Sequence, residues 1–165
     1  MNADAFRMNR FTLRFAGAHG LEKIKTIGDA YMAVAGLPEP WADHAPRAAR
    51  MALAMLDATA RVAAETGEKL ALRIGLHSGP AVAGVIGRRK FTYDLWGDTV
   101  NTASRMESHG VPGAIHCTEA TALLLQGAFQ LQARGAMEIK GKGEMHTFLL
   151  TPATSGAARA NETAL

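Results

Sequence analysis

Three polar side chains in one short segment could bind a nucleotide. Asp94 belongs to an alternating stretch, residues 91–95, that is typical of a β-strand, and a Trp-Gly break separates it from a helix predicted over 98–107. Asn101 and Arg105 are four residues apart in that helix, so they lie one turn apart on the same face. A carboxylate, an amide and a guanidinium presented together could read a base edge and hold a phosphate. Each residue alone also fits an ordinary surface position.

A carboxylate is predicted at the tip of a hairpin. Two short apolar stretches, residues 21–27 and 30–35, flank Gly28 and Asp29, and a two-residue turn with glycine first favours type II′. Asp29 could offer oxygen ligands to Mg²⁺, which shares its coordination sphere with substrate phosphates. The alternative is that aspartate is simply a favourable turn residue.

Two cations are further candidates for phosphate binding. Arg73 lies in the alternating stretch 70–77, on the face opposite the leucines, where a solvated arginine is also common. Lys140 begins a Lys-Gly-Lys-Gly sequence between the last two predicted strands, and such sequences are common in turns. Lys142 could be only its solvated neighbour.

The elements that must position these residues follow from periodicity and from capping signals. Asp43 is predicted to cap a long helix that Gly67 ends. The other predicted elements are a helix over 4–18, the long helix over 44–65, a hairpin formed by strands 70–77 and 81–86, a strand over 114–117, a helix over 119–125, and paired strands over 129–139 and 145–150. This order predicts an α+β fold, an antiparallel sheet with helices packed on one face.

The bulk composition narrows the class of protein. At 165 residues with 48% hydrophobic and 20% charged residues, the chain should form one globular domain. A net charge of +3 suits an anionic ligand but gives no reason to expect nucleic-acid binding. No apolar run is long enough to span a membrane, and the single cysteine, Cys117, fits a reducing cytosol. We therefore expect a cytoplasmic protein with neither membrane nor nucleic-acid partners.

From Leu21 to Leu150 the chain resembles the class III adenylate/guanylate cyclase catalytic domain. The resemblance is carried by three strings: Glu-Lys-Ile-Lys-Thr-Ile-Gly-Asp-Ala-Tyr-Met at 22–32, Arg-Ile-Gly-Leu-His-Ser-Gly at 73–79, and the segment 91–107. It implies a ferredoxin-like, palm-type sheet. It also implies an enzyme that converts ATP to cyclic AMP and pyrophosphate at the interface of a head-to-tail homodimer or heterodimer.

The resemblance also assigns roles to the candidate residues. Lys25 and Asp94 would read the adenine ring, a combination that favours ATP over GTP. Asp29 would bind Mg²⁺ or Mn²⁺. Asn101 would bind the ribose, and Arg105 would stabilise the pentavalent phosphorus. Arg73 and Lys140 would contact the terminal phosphates.

One part of the family pattern is missing from this sequence. The family begins with a strand reading roughly Phe-x-Asp-Ile-x-Gly-Phe-Thr, whose aspartate is the first metal ligand, and upstream of Glu22 the only acid is Asp4, in an unrelated context. We therefore expect an N-terminally truncated domain over 21–150, preceded by a helix remnant over 1–20 and followed by a disordered tail over 151–165.

Four functional interpretations stay open, the last being that the chain is a decayed gene product with no function. The two-ion site would be incomplete, so the chain alone would be weak or inactive as an adenylate cyclase. Alternatively, it would be a non-catalytic subunit that completes the site of an intact partner. The third interpretation, a generic α+β binding module, fits the combined motifs less well.

Overall fold

A computed structural model describes residues 15–87 and 91–151. Residues 15–19 are helical, so most of the helix predicted over 4–18, Asp4 itself, and nearly all of the predicted tail lie outside the described residues. The elements are β1 (Glu22–Ile27), β2 (Ala30–Val34), α1 (His44–Thr66), β3 (Ile74–Leu76), β4 (Val82–Ile86), β5 (Thr92–Trp96), α2 (Asp98–Ser108), β6 (Ile115–Thr118), α3 (Glu119–Leu125), β7 (Gln130–Ile139) and β8 (Gly143–Thr151).

The first hairpin forms as predicted. β1 and β2 pair antiparallel, and Ile27 is the partner of Ala30 across the two-residue turn. Gly28 has a φ of +61°, whereas no non-glycine residue in the described part of the chain has a positive φ. A positive φ at the first turn position alone is the pattern of a type II′ turn, so glycine is needed there and aspartate is tolerated next to it.

A four-stranded sheet with the order β3-β6-β8-β7 forms the centre of the described part. β3 and β6 run parallel, while β6 with β8 and β7 with β8 are antiparallel. β4 and β5 form a separate antiparallel pair. The predicted hairpin between strands 70–77 and 81–86 is therefore wrong, because β3 is only three residues long and takes β6 as its partner.

β3 also packs closely against α2 on one of its faces. A Cβ atom on Gly75 would lie 2.2 Å from the backbone nitrogen of Glu107 and 2.5 Å from the carbonyl oxygen of Ala103. Only glycine permits this approach. An alternating pattern of leucines identifies a strand, but it does not identify the strand's partner.

The apolar core lies between α1, α3 and one face of the central sheet. Its buried members are small or branched residues: Ala45, Ala49, Ala52, Ile115, Leu125 and Leu150. The opposite face of the sheet packs against α2, which Gly75 of β3 contacts. The predicted α+β class is confirmed, with the refinement that helices cover both faces of this sheet.

The ends of α1 follow the predictions in part. Gly67 ends the helix with a φ of +72°, and its N–H bonds to the carbonyl of Ala63. Asp43 occupies the N-cap position but makes no side-chain cap; its carboxylate accepts a hydrogen bond from Arg47 Nε at 2.8 Å instead. The guanidinium competes successfully for the carboxylate because a charge-assisted bond is stronger than a neutral one.

Candidate nucleotide site

An ion pair joins β1 to β5 at the centre of the candidate site. Lys25 Nζ lies 2.7 Å from Asp94 Oδ2, and the two side chains are 34% and 16% exposed. The other oxygen of the carboxylate, Oδ1, accepts the N–H of Leu95 at 2.8 Å. Residues 69 positions apart in the sequence thus meet in direct contact.

The pair has a defined charge state. The hydrogen bond from Lys25, and then the one from the Leu95 backbone, hold the pKa of Asp94 below its usual value of 3.8. Asp94 is therefore ionised at neutral pH and acts only as an acceptor. Lys25 keeps further N–H donors, so the pair can offer both donor and acceptor groups to the edge of a base.

The helix that follows β5 carries two more of the predicted residues. Thr102 and Met106 are buried and anchor α2 to the sheet. On the outer side Asn101 is exposed and Arg105 is half-buried. Within the described residues neither side chain makes a hydrogen bond or ion pair, so both are available to a ligand.

The turn between β7 and β8 is tied to the start of α2. Lys142 Nζ donates to Asp98 Oδ1, at the first residue of that helix. Lys140 is exposed and has no side-chain partner among residues 15–87 and 91–151. Lys142 is thus more than a solvated neighbour of Lys140: it fixes the loop that carries it. The sequence showed two lysines in a turn but not which helix they would meet.

Arg73 contacts a carboxylate at the far end of the same helix. Its Nε donates to Glu107 Oε1 at 2.9 Å, and the two side chains are 47% and 37% exposed. Only one of the five guanidinium N–H groups is used in this bond. Arg73 therefore keeps donors for an anion, although no sequence pattern predicted its contact with Glu107.

Asp29 stands apart from the other candidates. It is exposed at the tip of the β1–β2 hairpin. Within the described parts of the chain, no group of three or more His, Cys, Asp or Glu side chains could hold a metal ion. Asp29 is thus a single candidate ligand, and the described residues do not by themselves fit a two-ion centre.

The predicted residues therefore fall into three groups. Lys25 and Asp94 touch. The helix α2 presents Asn101 and Arg105. Its first residue, Asp98, contacts Lys142 in the turn that carries Lys140, and Glu107 near its other end contacts Arg73. Asp29 makes no side-chain contact with any of them.

None of the helices in the described ranges is long and apolar enough to cross a membrane.

Comparison with known proteins identifies the fold and the family. The sequence model described as "Adenylate and Guanylate cyclase catalytic domain" matches residues 7–152. The guanylate cyclase domain of RhGC from Catenaria anguillulae, solved in complex with GTP, superposes with a TM-score of 0.85 at 40% identity, covering 92% of this chain and 86% of that one. The predicted palm-type fold and the resemblance stated from the motifs are thereby confirmed.

Curated relatives include cyclases of both nucleotide types. Guanylate cyclase soluble subunit beta-2 of Rattus norvegicus is 46% identical over 139 residues, covering 83% of this chain and 20% of that protein. An adenylate cyclase of Mycobacterium bovis is 48% identical over 132 residues, covering 80% and 30% respectively. The chain thus spans less than a third of the length of either relative. By its motifs, its fold and the extent of these matches, the chain belongs to the family of adenylate and guanylate cyclase catalytic domains.

Proposed function

We propose that this domain is of the adenylate type and takes part in converting ATP to cyclic AMP and pyrophosphate. The observation that carries the proposal is the contact between Lys25 and Asp94 at 2.7 Å, beside the helix of Asn101 and Arg105. An ionised carboxylate can accept from the amino group of adenine, and the ammonium can donate to a ring nitrogen. Guanine presents a carbonyl oxygen where adenine has its amino group, so the carboxylate would face an acceptor and disfavour GTP.

The other residues act on the sugar and phosphates in this proposal. The 3′-oxygen of the ribose attacks the α-phosphorus, its proton is lost, and the bond from that phosphorus to the β-phosphate oxygen breaks. Asn101 holds the ribose. Arg105 stabilises the charge that develops on the α-phosphate oxygens, where a preorganised cation is most effective. Lys140 and Arg73 hold the terminal phosphates.

Catalytic domains of this family generally depend on metal ions, and Asp29 is the candidate ligand in this chain. Mg²⁺ or Mn²⁺ would neutralise phosphate charge and orient the reacting groups when bound. Because the described residues supply one such carboxylate, we assign no catalytic step to a metal held by this chain alone.

Nucleotide selectivity provides the direct test. Purified protein, alone or mixed with the partner domain described below, is assayed with Mn²⁺ and either ATP or GTP. Asp94→Asn is assayed beside the control Asp57→Asn, which breaks an exposed ion pair with Arg61 on α1. We expect cyclic AMP as the main product and a loss of ATP preference in Asp94→Asn only. Equal use of both nucleotides by the unaltered chain would refute the adenylate assignment.

In a dimer, site residues from one chain would combine with site residues from the other. Solved domains of this family include a dimeric form. We propose a head-to-tail dimer in which one chain supplies the metal carboxylates and the equivalent of Arg73. The other chain supplies Lys25, Asp94, Asn101, Arg105 and Lys140.

This arrangement supports a second candidate function, a subunit that completes the site of another cyclase chain. The base, ribose and phosphate residues are all present here, whereas Asp29 stands alone. To test this, the chain is mixed with an intact cyclase domain whose own base-reading residues have been replaced. Activity that appears only in the mixture supports the complementing role, while a silent mixture of folded, associated chains argues against it.

A further inference from the structure

The last turn of α2 is held by side chains from two neighbouring strands. His116, in β6, is completely buried, and its Nδ1 lies 2.9 Å from the carbonyl oxygen of Met106. Arg134, in β7, donates from Nη1 to the carbonyl oxygen of His109 at 2.9 Å, just beyond the helix end. Carbonyls at a helix C-terminus lack partners within the helix, and cations are favourable there. These contacts satisfy groups that the helix cannot satisfy itself.

The two contacts are linked through the imidazole ring. A carbonyl can only accept, so Nδ1 of His116 carries the hydrogen, and Nε2 is the acceptor in the neutral ring. Arg134 Nη1 lies 3.3 Å from that Nε2 and can donate to it with its second hydrogen. Arg134, His116 and Met106 thus form one chain of hydrogen bonds from β7 through β6 to α2.

Arg105 depends on these hydrogen bonds because its own side chain makes none within the described residues. Its carbonyl oxygen accepts the N–H and the Nδ1 of His109, but its guanidinium has no partner in the described part of the chain. The backbone of the turn therefore sets the point from which the Arg105 side chain extends. The same turn is fixed from below by the close approach of Gly75 to Glu107.

We propose that His116 and Arg134 are positioning residues that fix the last turn of α2 and thereby direct Arg105 toward the nucleotide phosphates. The inference rests on the proposed function for the role of Arg105, but the fixing of the turn can be measured independently of activity. Neither residue was singled out from the sequence, since a buried histidine of β6 and an arginine 18 positions later in β7 meet only because both strands pair with β8, which lies between them.

The first test measures hydrogen exchange at the amides of His109 and Gly110 in the full chain. Arg134→Gln replaces the charged donor to His109 by a neutral one on a shorter side chain that does not reach as far. His116→Asn keeps a donor near the Nδ1 position but removes the acceptor for Arg134. We expect exchange about fivefold to tenfold faster in both variants, the equivalent of one lost hydrogen bond. The control is Arg61→Gln, which breaks the exposed pair with Asp57. Unchanged exchange in both folded variants overturns the proposal.

Arg134→Lys is included because the glutamine variant can fail to fold. Lysine keeps a charged donor for the His109 carbonyl but lacks the second fixed donor toward His116. We expect its exchange rates to lie between those of the unaltered chain and of His116→Asn. Rates equal to those of the unaltered chain would show that the link to His116 is irrelevant.

The second test follows turnover, with the chain alone or mixed with the complementing partner described above. We expect kcat to fall by about tenfold or more in Arg134→Gln, since small displacements of a catalytic group are costly, while KM for ATP stays within about twofold. In an Arg105→Ala background the same substitution should have no further effect, because its action passes through Arg105. If the double variant loses kcat by the product of the two single losses, the positioning role is overturned. An unaltered chain that is silent in both settings refutes the proposed function, and the exchange experiment then still decides whether the turn is fixed.

Discussion

The β1–β2 hairpin carries two candidate residues in very different settings. Lys25, within β1, forms an ion pair with Asp94 of β5, the strand that precedes α2. Side chains from β6, β7, the β7–β8 turn and the residue before β3 contact α2 or the residue that follows it. Asp29, four residues later at the exposed tip, makes no side-chain contact within the described ranges. Two strands from separate hairpins thus bring a lysine and a carboxylate into contact within one chain. A metal centre needs several carboxylates brought together from separate elements.

The largest expected effect comes from the cation on α2. Arg105→Ala should lower kcat for cyclic AMP formation by about 10²- to 10³-fold, the usual cost of removing one preorganised group that stabilises transition-state charge. The measurement is steady-state turnover with Mn²⁺ and ATP, in whichever setting the unaltered chain is active. Arg61→Ala, on the exposed face of α1, is the matched control. Activity retained within about threefold would show that α2 is not the catalytic helix.

A smaller effect is expected at the base-reading pair. Asp94→Asn should lower the ratio of ATP to GTP use by about tenfold, because the amide replaces an ionised acceptor and loosens Lys25. Competition between the two nucleotides in one assay measures this ratio directly. Lys25→Met should shift the ratio in the same direction. An unchanged ratio in both variants would mean that the pair is structural.

Acid should weaken the packing around two histidines: His116, whose Nδ1 bonds to the Met106 carbonyl of α2, and His77, whose Nδ1 lies 2.8 Å from Thr118 Oγ1. Burial, above all, lowers the pKa of His116 and of His77 below the ordinary value of 6.5; Arg134 and His109 also lower the first, and Asp98 opposes the shift of the second. Because the unfolded chain then binds protons more readily than the native one, stability is present above pH 6.5 and is lost as the pH falls below it.

Thermal unfolding between pH 7.5 and 5.5 checks this prediction. We expect the melting temperature to fall across the range, and to fall less in His116→Asn than in the unaltered chain. His146→Gln, at an exposed position, should leave the dependence unchanged. A flat profile for the unaltered chain would contradict the assignment of buried neutral histidines.

The smallest effect is expected at the hairpin tip. Asp29→Asn should change the affinity for ATP without metal ions by no more than about twofold, because an exposed carboxylate with no partners organises nothing within the chain. Calorimetric titration in the presence of a chelator, beside Asp94→Asn, provides the comparison. If both variants weaken metal-free binding equally, the two regions are not functionally distinct.

Several features of the fold could be predicted from the sequence because they are local. The Gly28–Asp29 turn, the end of α1 at Gly67, and the placement of Asn101 and Arg105 on one helix follow from backbone preferences and helical spacing. The pairing of Lys25 with Asp94 was expected only through family resemblance, since nothing in their spacing brings them together.

The rest was decided by contacts between distant segments. β3 pairs with β6 and not with β4, and α2 lies against its backbone at Gly75. Lys142 reaches Asp98, and Glu107 holds Arg73. Arg134 of β7 reaches His116 of β6 across the intervening strand β8. The sequence by itself determined which residues could bind a nucleotide and which short elements carry them. Only the tertiary structure decided which of them are held in place, because strand partners and the ends of helices are chosen by packing and charge between segments far apart in the chain.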